Sequence, residues 1–264
     1  MTARASLRRR IGDHAIALMI VAGIVVVWEL ASRFGLVSPI LLPAPTAVAR
    51  EFFGVCREIF YGGPLRNDTL VTLYESVAGF VVAFFLAFVG GTLIAEIPLL
   101  RRVMMPYLVA VNAAPKIALA PLIVVWFGFG TGSKIVMAAL IAFFPLLINV
   151  VSGLANADPQ KLKLMHSLAA SAWMTFTKVK LPDALPSIFA GMKIAIVFAV
   201  VGAVVGEFVG AEAGLGLVIK RTDYQLDVAL TFAVVALLSL MGILLFYAVE
   251  WSERRALFWT TPKN

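Results

Sequence analysis

The stretch KLMHSLAASAWMTFTKVKLPDALPSIFAG, residues 163–191, decides how this chain is organised. It is a polar, basic passage between long apolar runs, and it ends in two closely spaced prolines, Pro182 and Pro186. Apolar residues recur at intervals of three and four from Leu162 to Phe176, a spacing that predicts one amphipathic helix. We expect Pro182 to end that helix and Pro186 to begin the next. Such a helix can lie in a groove of a partner protein or rest on lipid headgroups, and periodicity alone leaves both open.

The composition on either side of this stretch places the chain in a membrane. Hydrophobic residues make up 61% of the sequence and charged residues only 14%, far from the averages of soluble proteins. A bilayer core about 30 Å thick needs roughly 20 apolar residues for each helical span. Six segments meet this requirement, so we predict an all-α polytopic membrane protein with six transmembrane helices in a single domain, residues 1–264. The predicted spans are about 15–31, 74–97, 103–127, 134–153, 187–209 and 228–251.

The distribution of lysine and arginine predicts the orientation of these spans. Most of them lie on the cytoplasmic side if the N-terminus is cytoplasmic, which agrees with the positive-inside rule. Both termini are therefore expected in the cytoplasm. The same holds for the loop formed by residues 158–186, the 158–186 loop. The net charge of +7 is explained by this topology and does not indicate nucleic-acid binding. On the outer side we predict an interfacial helix that begins near Thr46 as its N-cap.

No set of catalytic or metal-binding residues is recognisable in the sequence. His14 and His166 are far apart, and Cys56 is the only cysteine. The glycine-rich segment 128–134 lacks the Lys-Ser or Lys-Thr order of a phosphate-binding loop. We therefore expect no cofactor, no metal ion and no enzymatic activity, which argues against a membrane-embedded enzyme. If ATP drives this protein, another polypeptide must bind the nucleotide.

Charged residues inside the predicted spans suggest a path for a solute. Lys116 follows Pro115, where the third span loses a backbone hydrogen bond and is expected to bend. Ionisable residues in membrane helices usually face a cavity or pair with one another. We hypothesise that a translocation path is lined or bordered by Asn112, Lys116 and Glu207. The alternatives for Lys116 are pairing with a carboxylate and snorkelling to the membrane surface.

Three glycines predict close packing in the fifth span. Gly202, Gly206 and Gly210 repeat every four residues. Such a row lets another helix approach closely in lipid. The partner helix can belong to the same chain or to a second subunit.

The 158–186 loop resembles the ATPase-docking loop in inner-membrane permeases of binding-protein-dependent ABC importers. That family carries Glu-Ala-Ala, three residues, Gly, nine residues, Ile, one residue and Leu-Pro. Here Lys163 to Met165 take the Glu-Ala-Ala positions, Ala169 the Gly position and Val179 the Ile position, and Leu-Pro is kept at 181–182. The spacing therefore agrees throughout and the identities only at the end. The resemblance implies these docking residues: Lys163, Leu164, Met165, His166, Ser167, Leu168, Ala169, Ala172, Leu181 and Pro182.

Four phrases extend the resemblance to the nitrate, sulfonate and taurine branch of this family. They are PILLPAP (39–45), NAAPKIALAPLIVVWFGFGTGSKI (112–135), AASAWMTFTKVKLPDALPSIFAGMKIA (169–195) and GEFVGAEAGLGLVI (206–219). The resemblance implies a type I ABC importer permease fold in the bacterial inner membrane and a path for a small anionic or organic solute. It also implies its partners: a second permease copy in a homodimer, two cytoplasmic ATP-binding subunits, and a periplasmic or lipid-anchored solute-binding protein. A secondary transporter or channel without an ATPase is the alternative; such proteins tend to show internal repeats, and none is recognisable here.

Overall fold

The computed structural model describes residues 3–38 and 40–258, so Pro39 and both ends of the chain lie outside it. Every regular element in the described residues is helical, as expected of backbone that must satisfy its own hydrogen bonds in lipid. The α-helices are α1 (Ala3–Arg33), α2 (Pro45–Tyr61), α3 (Pro64–Glu96), α4 (Pro98–Ala113), α5 (Ala120–Phe127), α6 (Thr131–Ala155), α7 (Pro159–Ser167), α8 (Ala172–Thr175), α9 (Leu181–Gly210), α10 (Leu215–Tyr224) and α11 (Val228–Ala256). A 3₁₀ turn, Lys116–Leu119, precedes α5, and a π-turn, Phe176–Lys180, joins α8 to α9.

Several of these helices are long and apolar enough to cross a bilayer. Within the described residues they are α3, α6, α11 and the continuous helix Ala172–Gly210. The helix α4 and the segment Lys116–Phe127 make a fifth candidate if they form one broken span, whose halves bend by 78°. The predicted first span, 15–31, lies within α1, and its crossing of the membrane stays a prediction. Six spans are therefore compatible with the helices, but their number stays a prediction as well.

The chain divides into two compact units. The first comprises the residues up to Gly63 together with Ile219–Leu237. In this unit the connection between α1 and α2 folds back on the end of α1: Trp28 Nε1 donates a hydrogen bond to the carbonyl of Pro43 (3.0 Å), and Ser32 Oγ donates one to the carbonyl of Leu42 (3.1 Å). These two bonds fix the position of the segment that leads into α2.

The N-cap predicted at Thr46 is wrong. Helix α2 begins at Pro45, with Ala44 as its N-cap, because proline suits a first turn whose N–H groups have no helical partner. The backbone N–H and the hydroxyl of Thr46 donate instead to the carboxylate of Glu29 on α1, at 3.1 and 2.9 Å. A carboxylate at this end of α2 is also favoured by the helix dipole.

The second unit comprises Pro64–Val218 and the described residues from Leu238 onward, and α6 is its central helix. Helices α3 and α9 pack on α6 through small side chains. Small residues allow close backbone approach, which in lipid replaces the hydrophobic effect as the source of helix association. The fully buried alanines of this core are Ala83, Ala87, Ala138, Ala142, Ala184, Ala195, Ala199 and Ala203.

The single amphipathic helix predicted from Leu162 to Phe176 is wrong. Helix α7 ends at Ser167, and Ala169 adopts the left-handed conformation with φ 49°. The N–H of Ala170 bonds to the carbonyl of Met165, and that of Ala169 bonds to His166, each at 3.0 Å. These two bonds form a Schellman cap, which ends the helix and turns the chain.

The helix break predicted at Pro182 is wrong too. The helix that begins at Ala172 continues to Gly210 and includes both Pro182 and Pro186. In the π-turn the N–H of Leu181 bonds to the carbonyl of Phe176, one residue further back than in an α-helix. This wider turn is a usual way for a helix to accommodate an irregularity such as a following proline. The C-terminal half of the 158–186 loop is therefore continuous with α9.

Candidate functional site

The 158–186 loop exposes large apolar side chains. Leu164, Leu168 and Trp173 expose 59%, 68% and 74% of their surface. The indole ring of Trp173 stacks on Phe176, with 6.0 Å between ring centres, which fixes its orientation. Grouped apolar side chains on a polar loop are typical of a protein-binding surface. Of the predicted docking residues, Lys163, Leu164, His166, Ser167, Leu168, Ala169 and Ala172 are exposed, whereas Met165, Leu181 and Pro182 are half-buried.

Two ion pairs fasten this loop to the long helices. Lys161 Nζ lies 2.6 Å from Asp183 Oδ1, and Asp183 Oδ2 accepts a hydrogen bond from the N–H of Asp158. The start of α7 is thereby tied to the first turn of α9, and the hydrogen bond to Asp183 raises the pKa of Lys161. Lys180 Nζ bonds to both carboxylate oxygens of Glu96 at the end of α3, at 2.7 and 2.9 Å. A displacement of the loop can therefore be transmitted to α3 and α9 through these ion pairs.

The predicted path residues Asn112 and Lys116 meet at the break between α4 and α5. Lys116 Nζ donates to the carbonyl of Asn112 (2.6 Å) and approaches its side-chain oxygen at 3.3 Å. The ammonium also lies 5.1 Å from the centre of the Phe144 ring. In membrane proteins, such breaks in apolar helices commonly lie where a solute or ion binds. The two residues form a polar pair in an otherwise apolar region.

The third predicted path residue, Glu207, lies elsewhere and is fully buried. Its Oε1 accepts a hydrogen bond from Thr72 Oγ1 of α3 at 2.6 Å, and its Oε2 accepts one from the N–H of Gly216. Thr72 Oγ1 accepts a bond from the N–H of Leu215 at 2.8 Å. The three residues of the path hypothesis therefore do not form one cluster in this chain.

The glycines of the phrase GEFVGAEAGLGLVI explain how Glu207 is accommodated. Gly214 has φ +123°, and a Cβ built there would collide with the Glu207 carboxylate. A Cβ on Gly216 would lie 2.7 Å from Glu207 Oε2. The N–H of Gly214 is bonded to Asp68 Oδ1 at 2.8 Å. Side chains thus cap the first N–H groups of α10 and hold the 211–216 turn.

Two buried charged residues were missed by the sequence analysis. Glu75 and Lys134 expose only 2% and 1% of their surface. The Glu75 carboxyl contacts that of Glu207, and the Lys134 ammonium donates to the backbone carbonyls of Phe129, Gly130 and Gly210. Because the predicted spans were defined as uncharged runs, each of these two residues was taken to mark the end of a span. In the structure α3 begins earlier, at Pro64, and α6 begins at Thr131.

The glycine row of α9 packs against α6 within the chain. A Cβ on Gly202 would lie 2.6 Å from the Cα of Ala138, and one on Gly206 would lie 3.1 Å from the Cα of Lys134. Gly210 faces the ring of Phe129. Of the two partners left open by the sequence, these contacts are with the same chain: with α6 for Gly202 and Gly206, and with the turn before α6 for Gly210.

Comparison with known proteins identifies the family. Residues 79–257 match the family described as binding-protein-dependent transport system inner membrane component. The chain belongs to this permease family. Two curated permeases are similar over most of their length: the formylaminopyrimidine transport permease ThiX of Halalkalibacterium halodurans is 33% identical over 89% of this chain and 92% of its own. The putative aliphatic sulfonates transport permease SsuC of Bacillus subtilis is 29% identical over 92% of this chain and 86% of its own length.

A solved structure shows the same fold. One chain of the MetNI methionine ABC transporter, in an inward-facing conformation, matches 73% of this permease and 95% of its own length, with a TM-score of 0.64 and 20% identity. The all-helical type I importer permease fold predicted from the sequence is confirmed, as is the resemblance to the sulfonate and taurine branch. The protein is therefore an inner-membrane permease of a binding-protein-dependent importer.

Proposed function

We propose that this permease is the transmembrane subunit of an ATP-driven importer for a small solute, and that two separate cytoplasmic subunits hydrolyse the ATP. A second copy of the permease completes the path, and a periplasmic or lipid-anchored binding protein delivers the solute. Both termini and the 158–186 loop lie in the cytoplasm. Relatives named for formylaminopyrimidine and for aliphatic sulfonates support a small organic solute without deciding which one.

The observation that carries this proposal is the apolar surface formed by Leu164, Leu168 and Trp173. Leu164 lies on the short helix α7, Leu168 on the tight turn that follows it, and Trp173 in the first turn of the long helix Ala172–Gly210. An exposed apolar surface of this kind fits a groove in a partner protein. The ion pairs of Lys161 and Lys180 then provide the mechanical link from the partner to α9 and α3.

The solute path is proposed to pass the break between α4 and α5, where Asn112 and Lys116 lie. Glu207 borders the path indirectly, because it holds the 211–216 turn through its hydrogen bonds to Thr72 and Gly216.

The docking role is tested by placing an acid in the apolar surface. We expect Leu168→Glu and Trp173→Glu to fold normally but to lose ATPase association, because truncating a central interface residue typically costs about 2 kcal/mol, roughly a 30-fold loss of affinity. The measurement is co-purification of the ATPase subunits with tagged permease, followed by solute uptake in proteoliposomes.

The matched control is Ser252→Glu, which adds the same charge to an exposed position near the end of α11, outside the 158–186 loop. It is expected to behave as wild type. Normal ATPase association and uptake by the Leu168 and Trp173 variants would contradict the docking role.

A further inference from the structure

A cleft of about 430 Å³ lies between the start of α4 and the end of α6. Its polar lining consists of Arg101 and Arg102 on α4 and of Ser152 and Asn156 at the end of α6. None of these four side chains makes an ion pair or a hydrogen bond with another described residue. Guanidinium, hydroxyl and amide groups all donate hydrogen bonds. The cleft therefore collects two positive charges and several unused donors.

The backbone of α4 adds to the positive character of the cleft. The helix begins at Pro98, which also lines the cleft, and no side chain caps its first N–H groups. These groups carry a positive partial charge and are free to bind an anion. Arginine matches the geometry of a phosphate group, because its planar fork can donate two parallel hydrogen bonds. The cleft thus suits a phosphate group, which has negative charge and several acceptor oxygens.

The cleft lies at the same end of the long helices as the 158–186 loop. Helix α6 leads directly into that loop, and Glu96, just before α4, pairs with Lys180 of the loop. Helix α4 itself has no fully buried residue, and it exposes apolar side chains such as Leu99 and Val103. A basic cleft beside an exposed apolar helix, at the end of that helix, lies where lipid headgroups meet hydrocarbon.

We propose that this cleft binds the phosphate group of an anionic phospholipid, such as phosphatidylglycerol, from the leaflet on the side of the 158–186 loop. Arg101 and Arg102 pair with the phosphate, and Ser152 and Asn156 donate hydrogen bonds to it. The apolar part of the lining packs against the glycerol backbone and the first acyl carbons; it consists of Pro98, Met105, Val151 and Ala155. This apolar lining favours a lipid over a soluble phosphate.

The lipid site goes beyond the proposed function. It shares no residue with the apolar docking surface or with the proposed solute path at Asn112 and Lys116. If the 158–186 loop is cytoplasmic, the lipid belongs to the cytoplasmic leaflet, where anionic headgroups attract basic residues.

The site is tested by lipid titration of the importer. The permease with its ATPase subunits is purified in detergent, stripped of lipid and titrated with phosphatidylglycerol, and the bound lipid is counted by native mass spectrometry. Phosphatidylcholine, whose headgroup is zwitterionic, and inorganic phosphate are the comparison probes. We expect phosphatidylglycerol to bind most tightly. The double variant Arg101→Gln with Arg102→Gln should weaken its binding roughly 25-fold, about fivefold for each arginine.

The matched control removes the same charge from another basic segment. Arg254→Gln with Arg255→Gln changes two exposed arginines at the end of α11, outside the cleft, and is expected to keep the affinity for phosphatidylglycerol. A second variant, Asn156→Asp, keeps the shape of the cleft but places a carboxylate among its arginines. Because this acid gives the arginines a partner, it does not weaken folding, and it should lower the lipid affinity about fivefold.

Unchanged phosphatidylglycerol affinity in the double arginine variant overturns the proposal, as does equally tight binding of phosphatidylcholine. Inorganic phosphate that displaces the lipid at equal concentration would make the cleft a site for a soluble anion and overturns it too. So does a double arginine variant that keeps the lipid but loses the ATPase, since the arginines would then bind an acidic group of that partner. A wild-type permease that binds phosphatidylglycerol but no ATPase contradicts the proposed function instead, so the two failures can be distinguished.

Discussion

Glu207 shows how a single side chain can order a turn in a membrane protein. A buried carboxylate is costly unless hydrogen bonds satisfy it. Glu207 receives bonds from Thr72 and from the N–H of Gly216. Because Gly216 lies in the first turn of α10, the carboxylate also benefits from the positive end of that helix's dipole.

The first prediction concerns the space that Gly216 leaves for this carboxylate. Gly216→Ala should destabilise the permease by about 2 kcal/mol, because the new methyl group overpacks a buried site. Thermal unfolding of the detergent-purified protein measures the effect. Gly132→Ala is the control, since a Cβ there meets nothing within 4 Å in the first turn of α6. Equal melting temperatures for Gly216→Ala and wild type would contradict the prediction.

Ala169 occupies a position that favours glycine. It takes the family's Gly position, and its φ of 49° lies in the left-handed region, where a side chain costs roughly 1 kcal/mol. Ala169→Gly should therefore strengthen the cap of α7 by about 1 kcal/mol. Hydrogen exchange at the N–H groups of Ala169 and Ala170 should become slower. Faster exchange would mean that the Schellman cap is not the dominant conformation.

At the scale of helices, prolines illustrate what a sequence can and cannot reveal. A proline shows that one backbone hydrogen bond is lost, but not how the helix compensates. The bend expected at Pro115 is present, with an angle of 78° between the helix halves. At Pro182 a π-turn absorbs the irregularity instead, and Pro106 and Pro145 lie inside α4 and α6. Such outcomes depend on packing partners that a sequence pattern does not contain.

The ion pair between Lys180 and Glu96 is predicted to couple two helices rather than to stabilise them. Both side chains are partly exposed, and such pairs typically contribute less than 1 kcal/mol to stability. Lys180→Glu should reduce the solute transported per ATP by roughly fivefold, about 1 kcal/mol of coupling, while the ATPase stays bound. Uptake and ATP hydrolysis in the same proteoliposomes measure this ratio.

The charge-reversed double variant, Lys180→Glu with Glu96→Lys, tests the pair as such. Restored coupling is expected, since the attraction is rebuilt in the opposite direction. A double variant as poor as the single one would show that Lys180 acts through another contact.

At the scale of the whole molecule, composition and four short phrases were sufficient to predict the class of protein and its family. The ends of the helices were harder to predict, because Glu75 and Lys134 are buried inside helices and have partners from distant parts of the chain. A charge that ends a span and a charge that is buried in one look alike in a sequence. Trp173 was missed because it lies among residues 170–178, the nine positions at which the family's motif specifies no residue type.

The length of the central helices has a consequence for the lipid environment. Helix α3 has 33 residues and Ala172–Gly210 has 39, about 50 and 58 Å at 1.5 Å per residue. Both exceed the roughly 30 Å of hydrocarbon, so each helix continues past the membrane surface, and the projecting end of Ala172–Gly210 carries Lys178, Lys180 and Asp183. Because the projecting end and the span are one helix, a span that tilts to fit a thinner or thicker bilayer also moves Trp173.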